Sequence, residues 1–114
     1  MKLTFDVVII GGGPSGLSAA IYLRRYNLTC CIIEKNAPGG KLLIINDIQN
    51  YPGFEKIAGY DLATKMYNQA LKLGTEFIFN EVLDIDVLSD KKIIKTKDKE
   101  IICQGIIIAT GRIP

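Results

Sequence analysis

The chain has no histidine and only three cysteines among its 114 residues. Without an imidazole, histidine acid–base catalysis, a Ser-His-Asp triad and a histidine-bearing metal site are excluded within this sequence. The cysteines Cys30, Cys31 and Cys103 show neither C-x-x-C nor zinc-ligand spacing. Cys30 and Cys31 are neighbours whose side chains should point to opposite faces of a strand. We therefore predict small buried thiols and no metal site.

Long apolar runs and a strong charge imbalance are also missing. No apolar stretch approaches the roughly 20 residues that cross a bilayer, and the first residues are typical of a strand rather than of a cleaved signal. The net charge is +2, with lysines spread among acids, and the lysines between residues 91 and 99 alternate with isoleucine and threonine, which favours a solvated hairpin face. These features predict a single soluble, cytoplasmic domain with neither a nucleic-acid nor a membrane partner.

The most informative segment present is VVIIGGGPSG, residues Val7–Gly16, which joins an apolar β-like run to a glycine turn. In the fingerprint G-x-G-x-x-G, Gly11 makes the tight turn, Gly13 lets the backbone approach a pyrophosphate, and Gly16 allows the next helix to pack closely on the sheet. Apolar residues at helical spacing follow. A Walker loop is excluded, because no Gly-Lys-Ser/Thr follows. The order of strand, loop and helix predicts a dinucleotide site.

Two further features support this site. The helix should begin near Pro14 and Ser15, where its unpaired N–H groups and positive dipole end attract a diphosphate, and proline suits a first helical turn. The next apolar run, Leu28 to Ile33, ends at Glu34, 23 residues after Gly11. An acidic residue about 20 residues after the first glycine of the fingerprint reaches the ribose hydroxyls, where its carboxylate accepts a hydrogen bond from a free 2′-OH and repels a 2′-phosphate. The alternative is that Glu34 is only a solvated acid at a strand end.

The rest of the chain predicts one more helix and further strands. A long connection from Lys35 to Tyr60 contains Gly39 and Gly40, which either lie along a ligand or form a plain turn. Asp61 can cap a helix that Gly74 ends, and a short strand should follow it. Three β-like pieces then predict an antiparallel meander, and a separate apolar strand should return to the centre of the sheet, buried on both faces. These last segments are, in order, residues Thr75–Phe79, then Glu81–Leu88, Lys91–Lys97 and Glu100–Cys103, then Gly105–Gly111. The predicted fold class is α/β, a Rossmann-like parallel sheet with flanking helices and a three-stranded antiparallel β-meander.

The combination GGGPSG, Glu34, PGGK, IQNYPGF and IIIATG resembles the flavin domain of thioredoxin reductases, within the superfamily of flavoproteins with two dinucleotide-binding domains. The resemblance covers essentially the whole chain and implies FAD as the cofactor. It departs from the usual pattern at Lys41, where such reductases commonly carry glutamine. By the resemblance, the FAD-binding residues are Gly11, Gly13, Pro14, Ser15 and Gly16 at the pyrophosphate, Glu34 and Lys35 at the adenosine ribose, Gly39, Gly40 and Lys41 along the diphosphate-to-ribityl stretch, Asn50 beside the flavin, Val82 at adenine through its backbone, and Ala109, Thr110 and Gly111 near the first glycine loop.

The resemblance also implies what lies outside this sequence. Residues 1–114 correspond to the amino-terminal segment of one FAD-binding domain that further chain would complete. In the whole protein, NAD(P)H would bind in another domain that carries a C-x-x-C pair, and a thioredoxin-like protein would accept electrons. The resemblance also allows a homodimer. This chain alone should then lack turnover. Two alternatives stay open: a non-enzymatic dinucleotide-binding module, and a flavin enzyme with another electron donor such as ferredoxin.

Overall fold

The computed structural model describes residues 2–40, 43, 45, 48, 49 and 51–110. Its helices and strands alternate first and then give way to strands alone. In chain order they are β1 Lys2–Ile10, α1 Pro14–Arg25, β2 Cys30–Glu34, α2 Gly59–Lys72, β3 Glu76–Phe79, β4 Asp84–Val87, β5 Lys92–Lys95 and β6 Glu100–Ile108. Neither helix in these ranges has the length and apolar character needed to span a membrane.

The strands form one sheet in the order β3-β2-β1-β6-β5-β4. Strand β1 pairs in parallel with β2 and β6, and β2 pairs in parallel with β3. Strands β4, β5 and β6 form an antiparallel meander. The predicted fold class is therefore confirmed. Because the parallel strands run in one direction, the carboxyl ends of β1, β2 and β6 meet at one edge, where ligands bind in open α/β sheets.

Both faces of the sheet are covered by apolar clusters. Ile9 and Ile32 pack with α1 and α2 on one face, and Val8 and Ile33 pack with side chains of the meander on the other. This double burial explains the near-continuous apolar runs of β1 and β2. The cysteine predictions are confirmed: all three thiols are buried, and Cys30 and Cys31 belong to opposite clusters.

Strand β6 differs from the expectation of two separate pieces. It is one strand, because its ladder with β1 continues from Lys2↔Glu100 to Ile10↔Ile108 and Gly105 does not interrupt it. Its first half also pairs with β5, from Glu100 to Cys103. The expected burial of the isoleucine triplet on both faces is wrong, since Ile108 is 70% exposed. Within the described residues, the second half of β6 pairs on the β1 side only.

The helix termini also correct one prediction. Asp61 does not cap α2: the N-cap is Ala58, without a side-chain cap, and Asp61 lies in the first turn, where its charge still complements the helix dipole. Gly74, with φ 98°, ends this helix as predicted. Helix α1 has Gly13 as its N-cap and Pro14 at its start, again as predicted. Strand β4 begins only at Asp84, so residues 80–83, expected to be largely strand, are an irregular connection.

Candidate functional site

The glycine loop, residues 11–16, leaves β1 in close contact with both neighbouring strands. The Gly11 N–H donates to the Ile33 carbonyl at 2.9 Å, and the Ala109 N–H donates to the Ile10 carbonyl at 2.8 Å. Gly11 has φ 111°, and a Cβ placed on it would overlap the Ala109 carbonyl oxygen and lie 2.9 Å from the Thr110 Cα. Only glycine fits this position, because both its backbone conformation and the space around it exclude a side chain. We call this loop the glycine wall of the site.

The start of α1 presents free amide groups beside this turn. The first amide to bond within the helix is that of Leu17, which donates to the Gly13 carbonyl at 2.9 Å. Among the described residues, the Ser15 and Gly16 amides have no hydrogen-bond partner. A Cβ on Gly16 would overlap the Gly11 carbonyl oxygen and lie 3.3 Å from the Ile9 Cγ2. The missing side chain thus lets α1 approach the sheet with its positive end open to an anion.

The carboxylate of Glu34 is held at the end of β2 by two backbone donors. Its Oε1 accepts from the Gly12 N–H at 2.6 Å and its Oε2 from the Asn36 N–H at 2.9 Å. The side chain is half-buried and lies against Gly12. A carboxylate has about four lone-pair positions, so Glu34 retains acceptor capacity for ligand hydroxyl groups.

The second glycine pair contacts the first glycine loop. The Gly39 N–H donates to the Gly12 carbonyl at 2.7 Å, and a Cβ on Gly40 would lie 3.3 Å from the Gly13 Cα. Gly39 has φ 113°, and a side chain there would meet the Ala63 Cβ at 2.6 Å. The long connection therefore returns to the mouth of the glycine loop, as a segment that follows a ligand should.

A pocket of about 210 Å³ opens beside these groups. It is lined by Ile10, Gly11, Ile33, Glu34, Lys35, Asn80, Glu81, Val82 and Thr110. One side is the glycine wall and the other is the connection between β3 and β4, residues 80–83, which we call the turn wall. Apolar side chains of β1 and β2 lie between them, and Glu34 and Lys35 supply opposite charges at the rim.

The backbone of the turn wall is bonded on both sides of Val82. The Asn80 N–H donates to the Glu34 carbonyl at 3.1 Å, and the Leu83 N–H donates to the Lys95 carbonyl at 2.8 Å. The Glu81 N–H donates to the Asn80 Oδ1 at 2.9 Å. Within the described part of the chain, neither the N–H nor the carbonyl of Val82 has a partner. Val82 lines the pocket, so its unbonded peptide group is available to a ligand there.

The structure brings most of the predicted residues together. Gly11, Glu34, Lys35, Val82 and Thr110 line the pocket. Adjoining it are Gly13, Pro14, Ser15 and Gly16 at the start of α1, Gly39 and Gly40 against the loop, and Ala109 against Gly11. The predicted residues Lys41, Asn50 and Gly111 lie outside the described residues.

Four residues of the pocket were missed as site residues: Ile10 and Ile33 at the ends of apolar strands, and Asn80 and Glu81 in the turn wall. The available signal was the asparagine directly after strand β3, a residue type that commonly ends regular structure by bonding to nearby backbone. No group of three acidic, cysteine or histidine side chains in the described ranges has a metal-binding arrangement.

Known proteins resemble the chain in both sequence and structure. It is 40% identical to the thioredoxin reductase of Bacillus subtilis (strain 168) over 107 residues, which are 94% of this chain and 34% of that protein. The thioredoxin reductase of Streptococcus pyogenes MGAS5005 superposes with a TM-score of 0.92 at 41% identity, covering 100% of this chain and 38% of the other. A ferredoxin-flavin thioredoxin reductase from Clostridium acetobutylicum superposes with a TM-score of 0.86 at 29% identity, covering 97% of this chain and 40% of the other.

The chain thus spans little more than a third of the length of these relatives, and it corresponds to an amino-terminal portion of a thioredoxin reductase-like protein. The family model described as pyridine nucleotide-disulphide oxidoreductase matches residues 5–114. The chain belongs to the pyridine nucleotide-disulphide oxidoreductase family.

Proposed function

We propose that this chain binds FAD between the glycine wall and the turn wall, as the amino-terminal part of a thioredoxin reductase-like flavoprotein. The observation that carries the proposal is a pocket lined by the half-buried Glu34 carboxylate and by Val82, whose peptide group has no partner among the described residues. The free amides at the start of α1 adjoin this pocket, because Gly16 packs against Gly11, which lines it. The amides, the carboxylate and the peptide group match the diphosphate, the ribose and the base of an adenine dinucleotide in chemistry and in order.

Each group has a defined task. The Ser15 and Gly16 amides and the dipole of α1 would hold the pyrophosphate, since an anion is stabilised there without a basic side chain. Glu34 would accept hydrogen bonds from the adenosine ribose, and the same carboxylate disfavours a 2′-phosphate by charge repulsion. Ile10 and Ile33 provide apolar surface for the base, and Val82 a backbone donor and acceptor for its polar edge. Gly39 and Gly40 would let the backbone lie along the ligand beyond the diphosphate.

The electron-transfer chemistry is supplied by the flavin when it is bound, and the protein contributes binding, orientation and electrostatics. In the whole protein, electrons would pass from NAD(P)H through the flavin to a protein disulfide, with a thioredoxin-like protein as the partner. The whole protein would act in the cytoplasm, as a homodimer. This chain has neither histidine nor a C-x-x-C pair, so we expect no turnover from these residues alone.

We further propose that residues 1–114 are one segment of an FAD domain that additional chain completes. The support is the second half of β6. Residues Gly105–Ile108 pair with β1 on one side, and within the described residues nothing pairs with the other side. The side chain of Ile108 is also 70% exposed. An apolar strand with one open edge is a surface on which another strand can be added.

The test is a comparison of thermal unfolding with FAD, ADP, NAD or no ligand. A ligand present at one hundred times its dissociation constant stabilises the folded state by about 2.7 kcal/mol. We expect FAD and ADP to stabilise the chain and expect no NADPH oxidation with thioredoxin. Protection by NAD alone would refute the flavin assignment, and robust reductase turnover by these 114 residues would refute the incomplete-domain proposal.

A second candidate concerns the electron donor. The similarity to a ferredoxin-flavin thioredoxin reductase favours considering ferredoxin in place of a nicotinamide for the whole protein. Reduction of the FAD-loaded whole protein by NADPH would contradict this candidate, whereas reduction by reduced ferredoxin alone would replace the nicotinamide part of the proposal. A purely structural dinucleotide-binding module would retain FAD without reduction by either donor.

A further inference from the structure

The turn wall is held in place by side chains rather than by a regular ladder. Strand β3 ends at Phe79 and β4 begins at Asp84, so residues 80–83 lack the continuous pairing of a strand. The wall nevertheless has to keep the free peptide group of Val82 at the pocket. Asn80 can do this, because it is the first residue of the wall and bonds both to its neighbour Glu81 and to two distant segments, at Glu34 and Asp98.

The Asn80 side chain makes one hydrogen bond at each end of its amide. Its Oδ1 accepts from the Glu81 N–H at 2.9 Å, and its Nδ2 donates to the Asp98 Oδ1 at 3.0 Å. A backbone N–H requires an acceptor and an ionised carboxylate requires a donor, so the two partners fix the orientation of the amide. Together with the bond from the Asn80 N–H to the Glu34 carbonyl at 3.1 Å, these contacts secure the first residue of the wall.

Asp98 lies 18 residues further along the chain, in the turn between β5 and β6. Lys99, whose Nζ lies 3.3 Å from the Asp98 Oδ2, helps to hold the pKa of this carboxyl below its usual range. The Thr96 hydroxyl is also directed to it, at 3.5 Å. The carboxylate is therefore ionised at neutral pH, and its hydrogen bond with Asn80 is charge-assisted.

We propose that Asp98 is a positioning residue for the nucleotide pocket: by holding Asn80, it keeps Glu81 and Val82 of the turn wall in place at the pocket that they line. Asp98 does not line the pocket, so its effect passes through Asn80. The inference rests on the proposed function, because it assumes that the pocket takes an adenine nucleotide. It extends the site to a hairpin turn that no dinucleotide motif includes.

The experiment measures the dissociation constants of ADP and IDP for the chain and its variants by calorimetry. The substitution Asn80→Asp keeps an oxygen for the Glu81 N–H but sets a second carboxylate against Asp98. We expect ADP affinity to fall at least about fivefold, as loss of one hydrogen bond and a like-charge contact imply. The substitution Asp98→Asn keeps an oxygen that accepts from the Asn80 amide, so its ADP affinity should stay within about twofold of the wild-type value.

The double variant Asn80→Asp with Asp98→Asn is the decisive case. It exchanges the two groups, so that the amide at position 98 donates to the carboxylate at position 80 and the hydrogen bond is restored. We expect its ADP affinity to recover to within about twofold of wild type. Should Asn80→Asp not fold, Asp98→Ala removes the acceptor from an exposed turn and is expected to weaken ADP about threefold. The matched control is Asp90→Ala, in the turn between β4 and β5, which should leave ADP affinity unchanged.

IDP separates positioning from a general effect on stability. Hypoxanthine carries an oxygen where adenine carries an amino group, so a peptide group that reads this edge discriminates between the two bases. If Asp98 positions the wall, Asn80→Asp reduces the ratio of IDP to ADP dissociation constants, whereas a loss of folded protein leaves this ratio unchanged. Unfolding of the ligand-free variants measures that loss separately.

The two possible failures are distinguishable. A wild-type chain that binds neither FAD nor ADP refutes the proposed function and this inference with it. A wild-type chain that binds ADP, together with an Asn80→Asp variant that keeps both its affinity and its base preference, refutes the inference alone. Failure of the folded double variant to recover ADP affinity refutes it as well.

Discussion

The two walls of the pocket are built in different ways. The glycine wall takes its shape from close contacts between backbone segments, at positions where a Cβ would overlap neighbouring atoms. The turn wall takes its shape from side-chain hydrogen bonds, chiefly those of Asn80, to residues distant along the chain. The glycines that shape the first wall lie in one short segment of the chain, whereas the residues that hold the second wall lie in three separate segments. Substitutions should therefore affect the glycine wall through stability and the turn wall through affinity.

The largest expected effect is that of Gly16→Ala in the glycine wall. The new Cβ would overlap the Gly11 carbonyl oxygen and lie 3.3 Å from the Ile9 Cγ2, so α1 would have to move away from the sheet. We expect a loss of about 3 kcal/mol of unfolding free energy, measured by urea denaturation. The matched control is Gly105→Ala in β6, where the nearest atom lies 3.9 Å away and alanine should stabilise by about 0.5–1 kcal/mol. Equal stabilities of the two variants would contradict the distinction between the walls.

The same difference explains what could be predicted from the sequence. The glycine loop, Glu34 and the parallel strands follow from local spacing, and the structure places them as expected. The irregular conformation of the turn wall could not be predicted, because the pattern of alternating residues from Glu81 onward also fits a strand. The hydrogen bond between Asn80 and Asp98 joins residues 18 positions apart, which no local pattern indicates. Likewise, the continuity of β6 through Gly105 is imposed by its ladder with β1, which local sequence does not report.

Glu34 forms hydrogen bonds with both walls, and its substitution should have the second-largest effect. Its carboxylate accepts from Gly12 of the glycine wall, and its backbone carbonyl accepts from Asn80 of the turn wall. The substitution Glu34→Ala removes only the first contact. We expect a loss of about 1.5–3 kcal/mol of FAD affinity, typical of a hydrogen bond to a charged group, measured by calorimetry. Glu34→Gln retains an acceptor and should lose less. Unchanged affinity in Glu34→Ala would remove this residue from the site.

Alkaline pH should weaken both walls together, because they share the buried strands beneath them. Burial raises the pKa of the Cys31 thiol to about 12, and the pKa values of Cys30 and Cys103 are raised as well. Above the ordinary thiol pKa of 9.0, the unfolded chain releases thiol protons that the folded chain retains. The stabilisation that the buried thiols provide is thus complete below this pH and is lost as the pH rises toward 12.

The expected slope is at most about 1.4 kcal/mol of unfolding free energy per pH unit for each thiol. Urea denaturation between pH 9 and pH 11 measures it, because above the ordinary thiol pKa the unfolded chain has released protons that the folded chain still holds. The variant Cys31→Ala supplies the comparison, since it should show a shallower decline even though its stability at pH 7 is lower. The same slope in both proteins would exclude Cys31 as the source.

The smallest expected effect is that of Lys35, the exposed neighbour of Glu34 at the rim of the pocket. Its side chain is exposed and forms no ion pair with any residue that the structure describes, so Lys35→Ala should weaken FAD binding by no more than about 1 kcal/mol. This loss should shrink as salt is raised, because exposed charges are screened, whereas the loss in Glu34→Ala should persist. The control Lys97→Ala removes an exposed lysine away from the pocket and should have no effect on FAD affinity. A salt-independent loss in Lys35→Ala would place this side chain in direct contact with the ligand, and the rim would then contribute to recognition together with the two walls.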